Sequence, residues 1–456
     1  MQDLTTGSVS RHLLHTTSFM LVTMVFQTLY YLIDLYWVGH LGKEAVAAVG
    51  VAGNLLFLVL AVTQMLGVGT TTLVSHAAGR KDQAQALLLF NQSLVLAGVA
   101  GVVFFALSMW GRRPYVDAFS ADAVTAQLAA DYLLWFLPAM CVQFGLASMA
   151  AALRAIGNFK PGMIVQTATV IINMVLAPVL IFGWGTGRPL GVTGAAVATF
   201  VAVVVGAIWL SFYFIRRDAY LHFVPADWTP RFALWKRMLS IGLPAGAEFA
   251  LMSVYLFVVY AVSRPFGAAA QAGFGIGMRI IQAGFMPVVA LGMSVGPVAG
   301  QNVGAGRADR VRETFRSAAF MAGGGMLLLA LLCHIAPAAM IGFFSQDPAV
   351  VAVGDEYLRI ASWNFVASGL VFVSSSMFQA LGNTLPSLLS STVRIVIIAI
   401  PAFLMARSPG FRLVWIWYLS VAAVLVQLGL NLWLLEREMR IRLPLAPAPA
   451  AAPVQP

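Results

Sequence analysis

Charge is scarce in this 456-residue chain: only 10% of residues are charged, while 60% are hydrophobic. A soluble domain carries about 25% charged residues, so this composition cannot cover a water-facing surface. Cysteine is nearly missing as well. The two that occur, Cys141 and Cys333, both fall inside apolar stretches, which excludes a disulfide framework and makes small apolar packing residues of them. There is no Gly-x-x-x-x-Gly-Lys-Ser/Thr loop and no paired-histidine metal motif, so neither nucleotide hydrolysis nor metal-dependent catalysis is written into the chain. Alternating strands of about ten residues are absent too, which leaves α-helices to satisfy the backbone in lipid.

What is present is a succession of apolar blocks, each near the ~20 residues that cross ~30 Å of hydrocarbon. They read as twelve spans: 13–38, 46–74, 86–110, 126–149, 161–184, 191–215, 238–262, 272–299, 316–341, 356–380, 386–406 and 413–435. The first is too long for a cleaved signal peptide. The net charge of +10 is a topology signal and not a nucleic-acid footprint. With the N terminus cytoplasmic, 17 basic residues fall on the cytoplasmic side and 7 on the other, as the positive-inside rule expects. Both termini are therefore expected to face the cytoplasm.

The chain also repeats itself. Ala78-Gly79-Arg80 recurs as Ala305-Gly306-Arg307, 227 residues later. Ala155-Ile156-Gly157-Asn158 recurs as Ala380-Leu381-Gly382-Asn383, and Gly42 as Gly267, both at 225. Each pair falls at the same point of the helix count. An even number of spans per copy makes the repeats parallel, related by an axis along the membrane normal. The expected organisation is an N-lobe at 1–215, a cytoplasmic linker at 216–237, a C-lobe at 238–442 and a disordered Ala-Pro-rich tail at 443–456. In the linker, Asp227 or Thr229 is expected to cap the next helix, with Pro230 in its first turn. Two facing bundles of this kind rock about a cleft at the midplane, which is a transporter architecture.

Ionisable groups within the spans are the natural site candidates, since each is costly in hydrocarbon. Asp34 lies ~7 Å of helix rise before the end of span one. It is either a carboxylate that exchanges a cation, or an interfacial acid wetted at a helix end. Glu248 is deep in span seven, beside Gly242-Leu243-Pro244-Ala245-Gly246, where Pro244 removes a backbone hydrogen bond. It is a site, or an acid neutralised by a partner such as Arg279. Arg279, Arg359 and Arg394 are candidates for pairing or for substrate contact, and read first as structural or snorkelling cations. Asn173 reads as helix–helix glue. Gln64, Gln282, Asn364 and Gln379 read the same way, and His334 as packing.

Taken together, Asp34 with Val38-Gly39-His40-Leu41-Gly42, Gly242-Leu243-Pro244-Ala245 ending in Glu248, and Gly300-Gln301-Asn302-Val303-Gly304-Ala305-Gly306 resemble the multidrug and toxic compound extrusion (MATE) family. Arg154-Ala155-Ile156-Gly157-Asn158 and Gln379-Ala380-Leu381-Gly382-Asn383 resemble it too, so the likeness runs from about residue 10 to 440. The resemblance implies an all-α integral membrane protein: twelve transmembrane helices in two pseudo-symmetric six-helix bundles around a V-shaped cleft. It implies a secondary antiporter and not an enzyme, without cofactor, exporting amphipathic and organic cations in exchange for H⁺ or Na⁺. The setting is the bacterial-type inner membrane, the partners are small molecules and the lipid bilayer, and the protein is a monomer. Residue by residue, Asp34 matches the family's first-helix aspartate and Asn173 a fifth-helix asparagine. Thr199 matches a sixth-helix threonine, and Glu248 the seventh-helix acid tied to cation coupling. A bound Na⁺ would sit at Asp34 or Glu248. Two departures stand out: Ala177 occupies a position where many members have an aspartate, and span ten offers Asn364, Ser374, Ser375, Ser376 and Gln379 but no carboxylate. Fewer fixed oxygens favour protons. A lipid-linked saccharide flippase of related architecture is the rival reading. It would line its cleft with several basic residues, whereas the intramembrane arginines are scattered over spans eight, ten and eleven.

Overall fold

In a computed structural model, residues 2–120, 122–185, 187–216 and 220–443 are described. The expected tail, apart from Leu443, lies outside them, as does Arg217 of the linker. The first half comprises α1 (Val9–Gly39), α2 (Lys43–Gly53), α3 (Leu55–Gly79), α4 (Gln83–Phe119), α5 (Ala123–Ala155), α6 (Phe159–Phe182) and α7 (Val192–Arg216). The second half comprises α8 (Phe232–Ser263), α9 (Ala268–Gly304), α10 (Ala308–Ile335), α11 (Pro337–Gly342), α12 (Pro348–Ala361), α13 (Phe365–Leu381), α14 (Leu385–Met405) and α15 (Val414–Arg442). Counting α2 with α3 and α12 with α13 as continuous spans, 12 helices among the described residues are long and apolar enough to cross a membrane. They coincide with the twelve blocks read from the sequence.

The repeat is visible in the backbone hydrogen bonds that end the helices. After α3 the N–H groups of Arg80, Lys81 and Asp82 bond to the carbonyls of His76, Ala78 and Ala77. After α9 those of Ala305, Gly306 and Arg307 bond to Gln301, Val303 and Asn302. Every one of these positions is displaced by 225. The Ala-Gly-Arg alignment at 227 is thus two residues out of register: Gly79 corresponds to Gly304, and Lys81 to Gly306. Lys81 and Gly306 each close the helix in a left-handed conformation, at φ 59° and 70°, so the chain geometry repeats where the residue type does not. Gly157 and Gly382 end α5 and α13 in the same way, at φ 79° and 76°. Here the sequence match and the structural match agree.

Between the halves, the linker gives a short 3₁₀ turn, Pro225–Trp228, before α8. The expected caps do not form, because Arg231 precedes α8 and makes no side-chain cap. Instead Gln92 of α4 gathers the segment: its Nε2 donates to the carbonyls of Asp227 (2.6 Å) and Thr229 (2.7 Å), and its Oε1 accepts from the Arg231 N–H. A buried amide with two donors and an acceptor serves a bend better than a single capping oxygen can.

Two apolar cores result. One gathers α2 to α7 with the end of α1 and the start of α8, through Trp235, Met238, Ile241 and Ala245. The other gathers the rest of α8 to α15 with Leu4, ahead of α1, and Val9 and Leu13 at its start. The halves therefore interlock at the end that carries the N terminus, each lending the start of its first helix to the other. Small residues permit the approach, as is general where lipid supplies no hydrophobic drive between helices. A Cβ on Gly79 would lie 2.0 Å from the Gln301 carbonyl oxygen, and one on Gly304 2.1 Å from that of His76. Gly242 and Gly246 in α8 meet the Met65 and Ala61 carbonyls of α3 in the same way, at 2.0 and 2.6 Å. The Gly-Leu-Pro-Ala-Gly motif is therefore part of the seam, and α8 stays helical through Pro244.

Two side chains span this seam as a pseudo-symmetric pair. His76 Nε2 donates to the Ala380 carbonyl at 2.7 Å, and Gln301 Nε2 donates to that of Ala155 at 2.8 Å. Both donors and both acceptors are related by 225. Residues 2–5 lie over the same seam: the Gln2 N–H reaches Ile156 O, the Leu4 N–H reaches Gln301 Oε1, and Arg307 donates to Thr5 O.

Candidate functional site

Asp34 lies on α1 one turn beyond Tyr30, so both present to the same face of that helix. Asn173 of α6 and Thr199 of α7 are buried and joined, Asn173 Nδ2 donating to Thr199 Oγ1 at 3.1 Å. Thr199 donates its own proton to Ala195 O, 3.2 Å away, so the Tyr30 hydroxyl at 3.1 Å is the donor of the remaining contact. Three helices are thus tied together at one threonine oxygen. Asp34 is outside this knot: its Oδ1 is buried and has no hydrogen-bond partner among the described residues. A buried acceptor left unpaired costs about 1–3 kcal/mol, and such groups call for an explanation. The structure therefore joins Asn173 and Thr199, and leaves the nearby carboxylate with a free oxygen. Tyr30 was missed in the sequence reading, although its spacing of four from Asp34 was there to be used.

Glu248 stands in the other half, on α8. Its Oε1 accepts from Ser387 and, at 3.2 Å, from Ser391, both on α14. Ser387 Oγ lies 2.6 Å from Ser375 Oγ of α13, one of the span-ten hydroxyls. Ser391 in turn accepts from Gln427 Nε2 of α15 at 3.1 Å, and Gln427 Oε1 accepts from Arg394 Nη1 at 3.3 Å. The Arg394 guanidinium lies over the Tyr255 ring, 5.4 Å from its centroid. Arg279, the partner considered for Glu248, is exposed; the cation linked to Glu248, through Ser391 and Gln427, is Arg394. Arg359 is held by Asp355 at 2.9 Å. Ser387, Ser391 and Arg394 follow one another at i, i+4 and i+7. That polar stripe on an apolar helix was the sequence signal for this cluster.

Glu248 and Arg394 both face a cavity of about 560 Å³. Its walls are greasy, with Met252, Met278, Met286, Phe285 and Phe372, and its polar lining includes Gln282, Asn364, Ser375, Ser376 and Gln379. Met24 of α1 and Gln64 of α3 complete it, so the cavity reaches the first half. A concave, largely apolar volume with a few convergent polar groups is the usual form of a small-molecule site. Among the described residues no group of three or more His, Cys, Asp or Glu side chains is placed to hold a metal ion.

Compared with known proteins, the chain matches the MatE family model twice, at residues 20–179 and 244–404. It belongs to the MatE family. The two matched segments begin 224 residues apart, close to the offset in the helix ends. This MATE chain is 25% identical over 383 residues to the multidrug export protein MepA of Staphylococcus haemolyticus, covering 83% of this chain and 82% of that one. It is 25% identical over 371 residues to an FAD transporter of Shewanella oneidensis, covering 81% and 82%. Among solved structures it superposes with a TM-score of 0.88 on a MOP superfamily transporter from Pyrococcus furiosus, at 23% identity and over 96% and 98% of the two chains. The Vibrio cholerae MATE transporter VcmN in its bent form gives 0.88 at 22% identity, over 95% and 98%. The all-helical, twelve-span MATE fold follows, and with it a multi-pass membrane transporter and not an enzyme.

Proposed function

We propose that this MATE transporter exports amphipathic organic cations by secondary antiport, and that Asp34 is the group at which the coupling ion and the substrate compete. The observation that carries this reading is the buried, unpartnered Asp34 oxygen beside the Tyr30–Thr199–Asn173 knot. A carboxylate so placed is stabilised by whatever cation reaches it, a proton or an organic ammonium. The two exclude each other there, which is the differential interaction that antiport requires. Protons suit the donor set better than Na⁺, since Thr199 Oγ1 already takes the bonds of Asn173 and Tyr30 and only one carboxylate is at hand. Glu248, in the other half, is not its repeat counterpart: 34 + 225 is Val259. Names such as multidrug export protein among the relatives support small drug-like molecules as cargo.

The 17-to-7 distribution of basic residues supports cytoplasmic termini in a bacterial cytoplasmic membrane. On that reading the seam under residues 2–5 closes the cytoplasmic side, and the cleft faces outward. The rocking units are residues 1–215 and 238–442, acting in a monomer.

The test is efflux of ethidium from proteoliposomes, with an imposed pH gradient and then an imposed sodium gradient. Wild-type protein is expected to respond to the pH gradient. Asp34→Asn is expected to lower the gradient-driven rate by roughly tenfold or more, the equivalent of at least about 1.4 kcal/mol of lost coupling. Export by Asp34→Asn at the wild-type rate would falsify the assignment.

A further inference from the structure

A feature left over by this scheme is a fixed positive charge in the cavity. An exporter of cations gains nothing from a cavity-facing guanidinium, and the cost of an arginine in the membrane is high enough to ask what it does. Arg394 is neither a lipid-facing nor a snorkelling cation: it lies among α8, α14 and α15 and faces the cavity. It does not neutralise Glu248 by direct pairing either. Gln427 and Ser391 are interposed, so the two charges are linked by a relay of hydrogen bonds without touching. Stacking on Tyr255 and the single bond to Gln427 fix the plane of the guanidinium. Arginine has five N–H donors in a fork that matches a carboxylate bidentately, and only one of them is engaged by Gln427.

From this geometry we infer that the second-half cavity is a seat for zwitterionic amphipaths, with the anionic group of the ligand on Arg394 and its cationic end toward Glu248. The aromatic and methionine walls receive the apolar body between them. The separation of the two charges by a neutral amide and hydroxyl is what makes this seat. A direct Arg–Glu pair would satisfy itself and present no charge to a ligand, whereas here each charge keeps a face toward the cavity. A ligand with only a positive charge would meet Glu248 favourably and Arg394 unfavourably, so the zwitterion is preferred over its esterified, purely cationic form.

The inference deepens the exporter reading and rests on it for the cavity's role, so the test reads binding apart from transport. Rhodamine B carries a carboxylate and a cationic ring system, and its ethyl ester keeps the cation and loses the anion. Equilibrium binding of both dyes to the detergent-purified full chain is measured by fluorescence anisotropy. Wild type is expected to bind rhodamine B more tightly than the ester. Arg394→Gln is expected to weaken rhodamine B at least tenfold while leaving the ester unchanged or tighter, and Arg394→Lys to restore part of the preference. Equal affinities in wild type, or equal losses for both dyes in Arg394→Gln, would overturn the inference. Should Arg394→Gln prove unstable, Gln427→Leu tests the same point by freeing the guanidinium from its positioning amide. It is expected to weaken rhodamine B selectively, and an unselective effect counts against the seat. If Asp34→Asn leaves ethidium efflux intact while the dye preference follows Arg394, the coupling assignment fails and the seat stands.

Discussion

Two acids in this chain are easily taken for equivalents, and their surroundings separate them. Asp34 keeps a buried oxygen without a partner among the described residues, while Glu248 is satisfied by two serines and linked through Gln427 to Arg394. An unsatisfied oxygen gains most from taking up a proton, whereas Glu248, its Oε1 held by serines, still turns its negative charge to a cation in the cavity. Glu248→Gln is therefore expected to weaken binding of the rhodamine B ethyl ester about tenfold, or ~1.4 kcal/mol. The response of ethidium efflux to a pH gradient should remain. Loss of that response in Glu248→Gln would move the coupling role to the second half. Asp34 and Glu248 were legible in the sequence because carboxylates stand out in apolar spans. Arg394 stood out equally, but its role did not, since a snorkelling arginine and a cavity arginine have the same local sequence. Only the neighbours on α8 and α15 tell them apart.

The helices meet through glycine and through two reciprocal hydrogen bonds. Gly304→Ala would set a Cβ 2.1 Å from the His76 carbonyl oxygen, so α3 and α9 must separate to admit it. Overpacking of this kind costs about 1–3 kcal/mol. A lowered melting temperature of the purified protein is expected. Gly324→Ala, where a Cβ would meet nothing within 4 Å, should leave it unchanged. The donors His76 and Gln301 contribute through cross-seam bonds worth ~1 kcal/mol each. The double variant His76→Ala, Gln301→Ala is expected to open the seam more often. A cysteine at Ser75, buried here against Gly300 of α9, placed in a Cys141→Ser, Cys333→Ser background, should then react with maleimide roughly tenfold faster. An unchanged labelling rate would show that these two bonds do not hold the seam. The helix spans themselves were legible from hydropathy. The latch was not, because a histidine and a glutamine at offset 225 share no letter, and their partners are carbonyls that every residue has.

At the scale of the molecule, two copies of one helical unit are joined by a linker folded around Gln92 and closed at one end. If the termini are cytoplasmic, a fluorescent protein fused after the last helix glows, and alkaline phosphatase fused there stays inactive. The reverse pattern would invert the cleft and the direction of export. The sequence by itself determined the membrane class, the number of spans, the duplication and the acids, because these rest on composition and on periodicity along the chain. It placed one of the three repeat pairs two residues out of register, since identity of letters is weaker than identity of helix ends. Tertiary structure alone decided which charges meet. Asp34 is left unpaired, Glu248 is bound to α14, and Arg394 is turned into a cavity, since each outcome depends on helices brought together from more than a hundred residues away. Hydrophobic periodicity fixes which face of a helix is buried, but not what another helix offers to it.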